Sequence, residues 1–120
     1  MRISEIQRLL NARVLTSSIF NDTDICYVFA SDMMSDVLAF ADKRMMLVTG
    51  LTNPQVIRTA EMMDIGCILY VRGKVPSDRI IEMAEEEQIS MLAVNHCMFD
   101  VCGELYTAGL RGGKIYAKKE

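Results

Sequence analysis

The sequence predicts an α/β domain, a three-layer sandwich with a mainly parallel sheet of about four or five strands and helices on both faces. Three observations carry this. Short apolar runs rich in β-branched and aromatic residues, at 25–30, 45–48, 67–71 and 90–94, alternate with stretches whose apolar residues recur at helical spacing. The run at 25–30 is continuously apolar, as in a strand covered on both faces. Two strand–helix units also echo each other: Val48-Thr49-Gly50 matches Val71-Arg72-Gly73, and Ile57, Ala60, Glu61 and Ile65 match Ile81, Ala84, Glu85 and Ile89. Strict alternation of strand and helix builds a parallel sheet. Strand order stays open at this level.

Along the chain, Ile3, Ile6, Leu9 and Leu10 share one side of a first helix, with Ser4 placed to cap it and Asn11 to end it. Residues 13–16 read as a short strand and Asn21-Asp22-Thr23-Asp24 as a polar loop. After the run at 25–30, Ser31-Asp32 caps a helix over 33–41. The run at 45–48 ends in Thr49-Gly50. Asn53 then caps a helix opened by Pro54, with Val56, Ile57, Ala60 and Met63 as its buried stripe. Beyond the run at 67–71, a helix from Ser77 turns Ile80, Ile81 and Ala84 inward and leaves Glu85-Glu86-Glu87 in water. The run at 90–94 leads through Asn95-His96 into a last helix over 97–108, stopped by Gly109. The expected division is a domain over 1–110 and a basic C-terminal tail over 111–120.

A chain of 120 residues suits one domain. With 51% apolar and 24% charged residues it is expected to fold rather than stay disordered. A net charge of −3 gives no reason to bind nucleic acid or anionic lipid. Every apolar run falls short of the roughly 20 residues a membrane span needs. Three of the four cysteines, Cys26, Cys67 and Cys102, sit in apolar runs and read as small hydrophobes. Reduced thiols and an amphipathic start without a signal peptide point to the cytoplasm. Methionine pairs at 33–34, 45–46 and 62–63 read as core filler or, where exposed, as a contact surface.

Ligands of open α/β sheets sit beyond the carboxyl ends of the strands. That rule selects Ser31, Asp32, Thr49, Gly50, Arg72, Gly73, Lys74, Asn95 and His96 as candidate ligand-binding residues. Backbone amides and helix N-termini point there, and Arg72 and Lys74 bring positive charge to the edge. Neither a Walker-type nor a dinucleotide glycine pattern is present, so phosphate transfer is not expected. His96 is the single histidine, and a Cys–His dyad with Cys97 would need thiolate, base and orienting group to meet in space, which adjacency in sequence does not provide. His96, Cys97, Asp100 and Cys102 fall within seven residues, but on a helix Cys97 and Cys102 diverge by about 140°. No metal, no cofactor and no catalytic residue are therefore expected.

Arg72-Gly73-Lys74-Val75-Pro76-Ser77, then Ile80-Ile81 and Ala84, then Ile89-Ser90-Met91-Leu92, resemble the DRTGG domain family. They are also similar to the related N-terminal domain of HPr kinases. The first helix and the strand after it fit the same pattern, so the resemblance covers nearly the whole chain. The family's Asp-Arg pair falls at Asn53-Pro54 and its Thr-Gly-Gly triplet at Val71-Arg72-Gly73, of which only Gly73 is kept. The resemblance implies a non-catalytic, dimer-forming regulatory domain, in a family whose adenine nucleotides are bound by associated CBS modules. Free-standing versions also occur near iron-only hydrogenase genes. The leading expectation is a homodimer that docks on or modulates a partner protein. The alternatives are a sensor for an adenine nucleotide or other phosphorylated ligand and, less strongly, an accessory protein of an iron–sulfur enzyme.

Overall fold

The computed structural model describes residues 1–41 and 44–113. Helix α1 (Ile3–Leu10) opens the chain. Strands β1 (Arg13–Val14), β2 (Tyr27–Ala30), β3 (Met45–Thr49), β4 (Cys67–Tyr70) and β5 (Ser90–Ala93) follow, with α2 (Met34–Phe40), α3 (Pro54–Met62), α4 (Asp78–Glu87) and α5 (Met98–Thr107) between and after them. The strands form a single sheet in the order β1-β5-β4-β3-β2, with β1 antiparallel to β5 and the other pairs parallel. This is the predicted α/β sandwich.

The register explains why three strand runs carry apolar residues toward both faces. Leu47, Ile68 and Met91 stand side by side across β3, β4 and β5, and Val48, Leu69 and Leu92 form the next row. Successive side chains point to opposite faces. The Val48 row therefore packs with Ile3, Ile6 and Leu10 of α1 and Val101 and Leu105 of α5. The Leu47 row packs with Met34 and Val37 of α2, Val56, Ile57 and Ala60 of α3, and Ile80 and Ala84 of α4. Each fully buried aliphatic side chain contributes about 1.5–3 kcal/mol, so the two cores depend on the apolar residues of β3, β4 and β5, while buried Thr49 and Ser90 are satisfied by hydrogen bonds to Asp32 and to the Phe20 backbone.

The local signals for α3 and α4 operate as expected. Asn53 Oδ1 accepts the Gln55 amide at 3.0 Å, with Pro54 in the first turn, and Ser77 Oγ accepts the Ile80 amide at 3.4 Å. At α1 the expectation needs correction. The cap is Arg2, whose amide donates to Glu5 at 3.0 Å. Ser4 lies inside the first turn, where its amide and hydroxyl both donate to Asp22 at 2.9 and 2.5 Å. Leu9, expected in the buried stripe, is 44% exposed, whereas Ile3, Ile6 and Leu10 are buried. Asn11 ends the helix in the left-handed conformation, as expected.

Strand β2 also departs from expectation, because it is an edge strand. Tyr27, Val28 and Phe29 are half-buried and Ala30 is exposed. Among the described residues its outer side is met at one end, where the Val28 amide donates to the Arg111 carbonyl at 2.9 Å. Arg111, the first residue of the expected tail, is thus joined to the sheet, and its guanidinium lies 3.8 Å over the Tyr106 ring. Residues 114–120 of that tail lie outside the described residues. Strand β1 is shorter than predicted, but its pairing continues through the Leu15 amide and the Thr16 hydroxyl, both bonded to Met91.

Tyr70 ends β4 with its side chain fully buried, and among the described residues its hydroxyl has no hydrogen-bond partner. Burial pushes its phenol well above the usual range. A buried, unbonded hydroxyl costs about 1–3 kcal/mol. Tyr70→Phe is therefore expected to leave stability unchanged or raise it by about 1 kcal/mol, measured by urea unfolding. A loss above about 1 kcal/mol would show that the hydroxyl has a partner that matters.

Candidate functional site

The carboxyl ends of β2, β3 and β4 bring three loops together. Asp32, in the loop between β2 and α2, accepts through Oδ1 from Thr49 Oγ1 and from the Gly50 amide, each at 2.8 Å. Arg72 Nη2 lies 3.5 Å from Asp32 Oδ2. The Gly50 amide first, then the Thr49 hydroxyl and the Arg72 guanidinium, hold the Asp32 carboxyl below its usual range against the opposing effect of partial burial. Asp32 is thus a staple across three strand ends. The predicted cap at Ser31-Asp32 needs correction: Met33 occupies the cap position and no side chain caps α2, while Ser31 accepts the Met33 amide at 3.0 Å in a local turn before the helix.

Two backbone features let Arg72 reach the staple. Its φ is +60°, in the left-handed region, where its own amide donates to the His96 carbonyl at 2.8 Å. Position 50 is glycine, and a Cβ there would fall 2.2 Å from Arg72 Nη2. The following residue, Gly73, also has a positive φ, of 69°, and its amide donates to the Val94 carbonyl at 3.0 Å. Of the amides on this edge, Gly73's serves the sheet and Gly50's serves Asp32.

The nine predicted residues therefore separate. Asp32, Thr49, Gly50 and Arg72 meet in one cluster. Gly73 stands beside Asn95, whose Oδ1 would lie 3.3 Å from a Cβ at position 73, and both line a small cavity with Asn11 and Arg13. Lys74 is exposed and turns the chain, its amide bonded to the Val71 carbonyl at 3.1 Å; among the described residues it makes no ion pair. The positive charge expected of Arg72 is matched by Asp32. His96 contributes a carbonyl to the edge and is also among the residues lining a different feature.

That feature is an open groove of about 600 Å³ between α1 and α5, lined by Leu9, His96, Phe99, Asp100, Gly103 and Glu104 among others. Phe99 is 84% exposed on its rim. Sequence reasoning missed this surface, although a signal exists. Val101 and Leu105 set the buried stripe of α5, and at 100° per residue Phe99 falls about 160° away from Val101. An aromatic residue on the wet side of a helix marks a contact surface better than it marks a core.

The cysteines do not converge on His96. Cys67 is buried in the core, where burial pushes its thiol up to about 12. Cys102 lines a separate cavity with Val28 and Leu105, and burial raises its thiol as well. Cys97 is exposed at the start of α5 and Cys26 is half-buried; all four are free. Among the described residues no cluster of three metal-ligating side chains occurs, and no helix is long and apolar enough to cross a membrane.

The sequence model of the DRTGG domain family matches residues 5–108. Among solved structures, the chain is similar to the CBS and DRTGG domains of the regulatory region of a Clostridium perfringens pyrophosphatase, a structure complexed with the activator diadenosine tetraphosphate. The TM-score is 0.67 at 17% identity, over 86% of this chain and 45% of that one. The likeness shows a shared fold over somewhat less than half of the larger chain. No curated protein matches the sequence.

Proposed function

The chain belongs to the DRTGG domain family, and from that premise we propose that it is a non-catalytic regulatory module that self-associates and docks on or modulates a partner protein. The observation that carries self-association is Phe99, a large aromatic side chain exposed beside the groove that Leu9 and Gly103 help to form. Two copies related by a two-fold axis would cover the same patch on each other, the simplest closed assembly. The non-catalytic reading is supported by the strand ends, where Asp32, Thr49, Gly50 and Arg72 satisfy one another. His96, the single histidine, is one of the residues that line the groove. Four free thiols suit the reducing cytoplasm.

A second reading, a sensor for an adenine nucleotide or another phosphorylated ligand, is favoured by one observation. The Clostridium perfringens regulatory region was solved with a dinucleotide activator. On this chain the matching donors would be Arg72 and the Gly50 amide, both engaged by Asp32. A thermal-shift panel separates the readings. A ligand at one hundred times its dissociation constant adds about 2.7 kcal/mol, several degrees for a domain of this size. We expect a shift below about 1 °C with millimolar ATP, ADP or AMP. A rise above about 4 °C that disappears in Arg72→Ala would replace the first reading with the second.

A further inference from the structure

The carboxylate of Asp32 is gripped by three kinds of donor at once: a hydroxyl, a backbone amide and a guanidinium. Phosphate and sulfate are bound by the same combination, because amides and a guanidinium fork make charge-assisted hydrogen bonds to oxyanions. We propose that Thr49, Gly50 and Arg72 form a site for a phosphate-sized oxyanion, and that Asp32 is its internal occupant. The proposal rests on the strand-end ligand reading and is independent of self-association.

Simple loop packing accounts poorly for the arrangement. The Asp32 and Arg72 side chains are 44% and 48% exposed, and an ion pair that open adds little to stability. Yet Arg72 holds a left-handed backbone conformation that non-glycine residues avoid, and the surface it crosses is kept clear by Gly50. Both features deliver a guanidinium to one point on the edge. That point is also where α/β sheets hold ligands.

Asp32 closes the site by occupancy and by charge, since an arriving anion meets a carboxylate already seated on its donors. Asp32 lies outside helix and strand, so its side chain leaves by rotation about its own bonds. Once an anion replaces it, the loop from β2 to α2 loses its side-chain tie to Thr49, Gly50 and Arg72, while the Ser31 amide stays bonded to the Val48 carbonyl and Met34 and Val37 keep α2 in the core.

Titration calorimetry with inorganic phosphate on the full chain tests this. Asp32→Ala is expected to bind phosphate at least about tenfold more tightly than the wild type, by freeing charge-assisted donors. The gain should vanish when Arg72→Ala is added. In spectra of the single variant, the Gly50 amide resonance should move during titration. Asp32→Asn removes the charge but keeps the acceptor, so it serves if the alanine variant does not fold, and its affinity should rise in the same direction. A folded Asp32→Ala or Asp32→Asn protein with wild-type phosphate affinity overturns the proposal. A gain that survives Arg72→Ala does so as well. Neither result bears on the oligomeric mass, so failure here is distinct from failure of self-association.

Discussion

Replacing Leu69 with alanine is expected to lower stability by about 3 to 4 kcal/mol and the melting temperature by about 12 to 16 °C. Leu69 lies in β4, the middle strand of the sheet, and is fully buried. Val48 and Leu92 flank it in register, and it belongs to the core cluster that α1 and α5 cover. Truncation leaves a cavity that neighbours from four elements would have to collapse into, and packed sheets relax little. Met62, 74% exposed at the end of α3, provides the contrast: Met62→Ala should change stability by less than about 0.5 kcal/mol. Chemical unfolding of both variants checks the pair. A loss below about 1 kcal/mol at Leu69 would mean that the two-faced core is not packed as described.

Phe99→Glu is expected to dissociate the assembly. Truncating a buried aromatic anchor at an interface commonly costs 2 kcal/mol or more, and glutamate adds a charge beside Asp100 and Glu104 on the same groove. Together these should weaken self-association by about a hundredfold. The monomer itself should keep its melting temperature to within a few degrees, because Phe99 packs on nothing in the single chain that its 84% exposure would let it lose. Mass by light scattering and melting by circular dichroism, on the same sample, separate loss of association from loss of fold.

Those two residues also mark how much was legible in the sequence. The central strands and the helices α3 and α4 could be read because their signals are local. A continuous apolar run, an Asn53-Pro54 start and a Ser77 cap each act within a few residues of themselves. What escaped reading depends on distant partners. Ser4 has the chemistry of a cap, but Asp22 captures it from 18 residues away. The run at 25–30 looks as apolar as the central ones, yet β2 takes the edge, since order in a sheet is decided by pairing and not by composition. Asp32 was placed at the correct loop and in the wrong role. A carboxylate before a helix ordinarily caps it, and only the meeting of three strand ends turns it toward Thr49, Gly50 and Arg72. Leu9 went unrecognised because it adjoins buried Leu10, and Phe99 because it lies two residues from buried Val101.

Self-association through the α1–α5 face is the claim on which the functional account depends, and light scattering of the purified full chain tests it most directly. At tens of micromolar, wild-type protein is expected to show twice the 13.5 kDa of one chain, and Phe99→Glu protein 13.5 kDa. A wild-type mass of 13.5 kDa at that concentration would contradict the account.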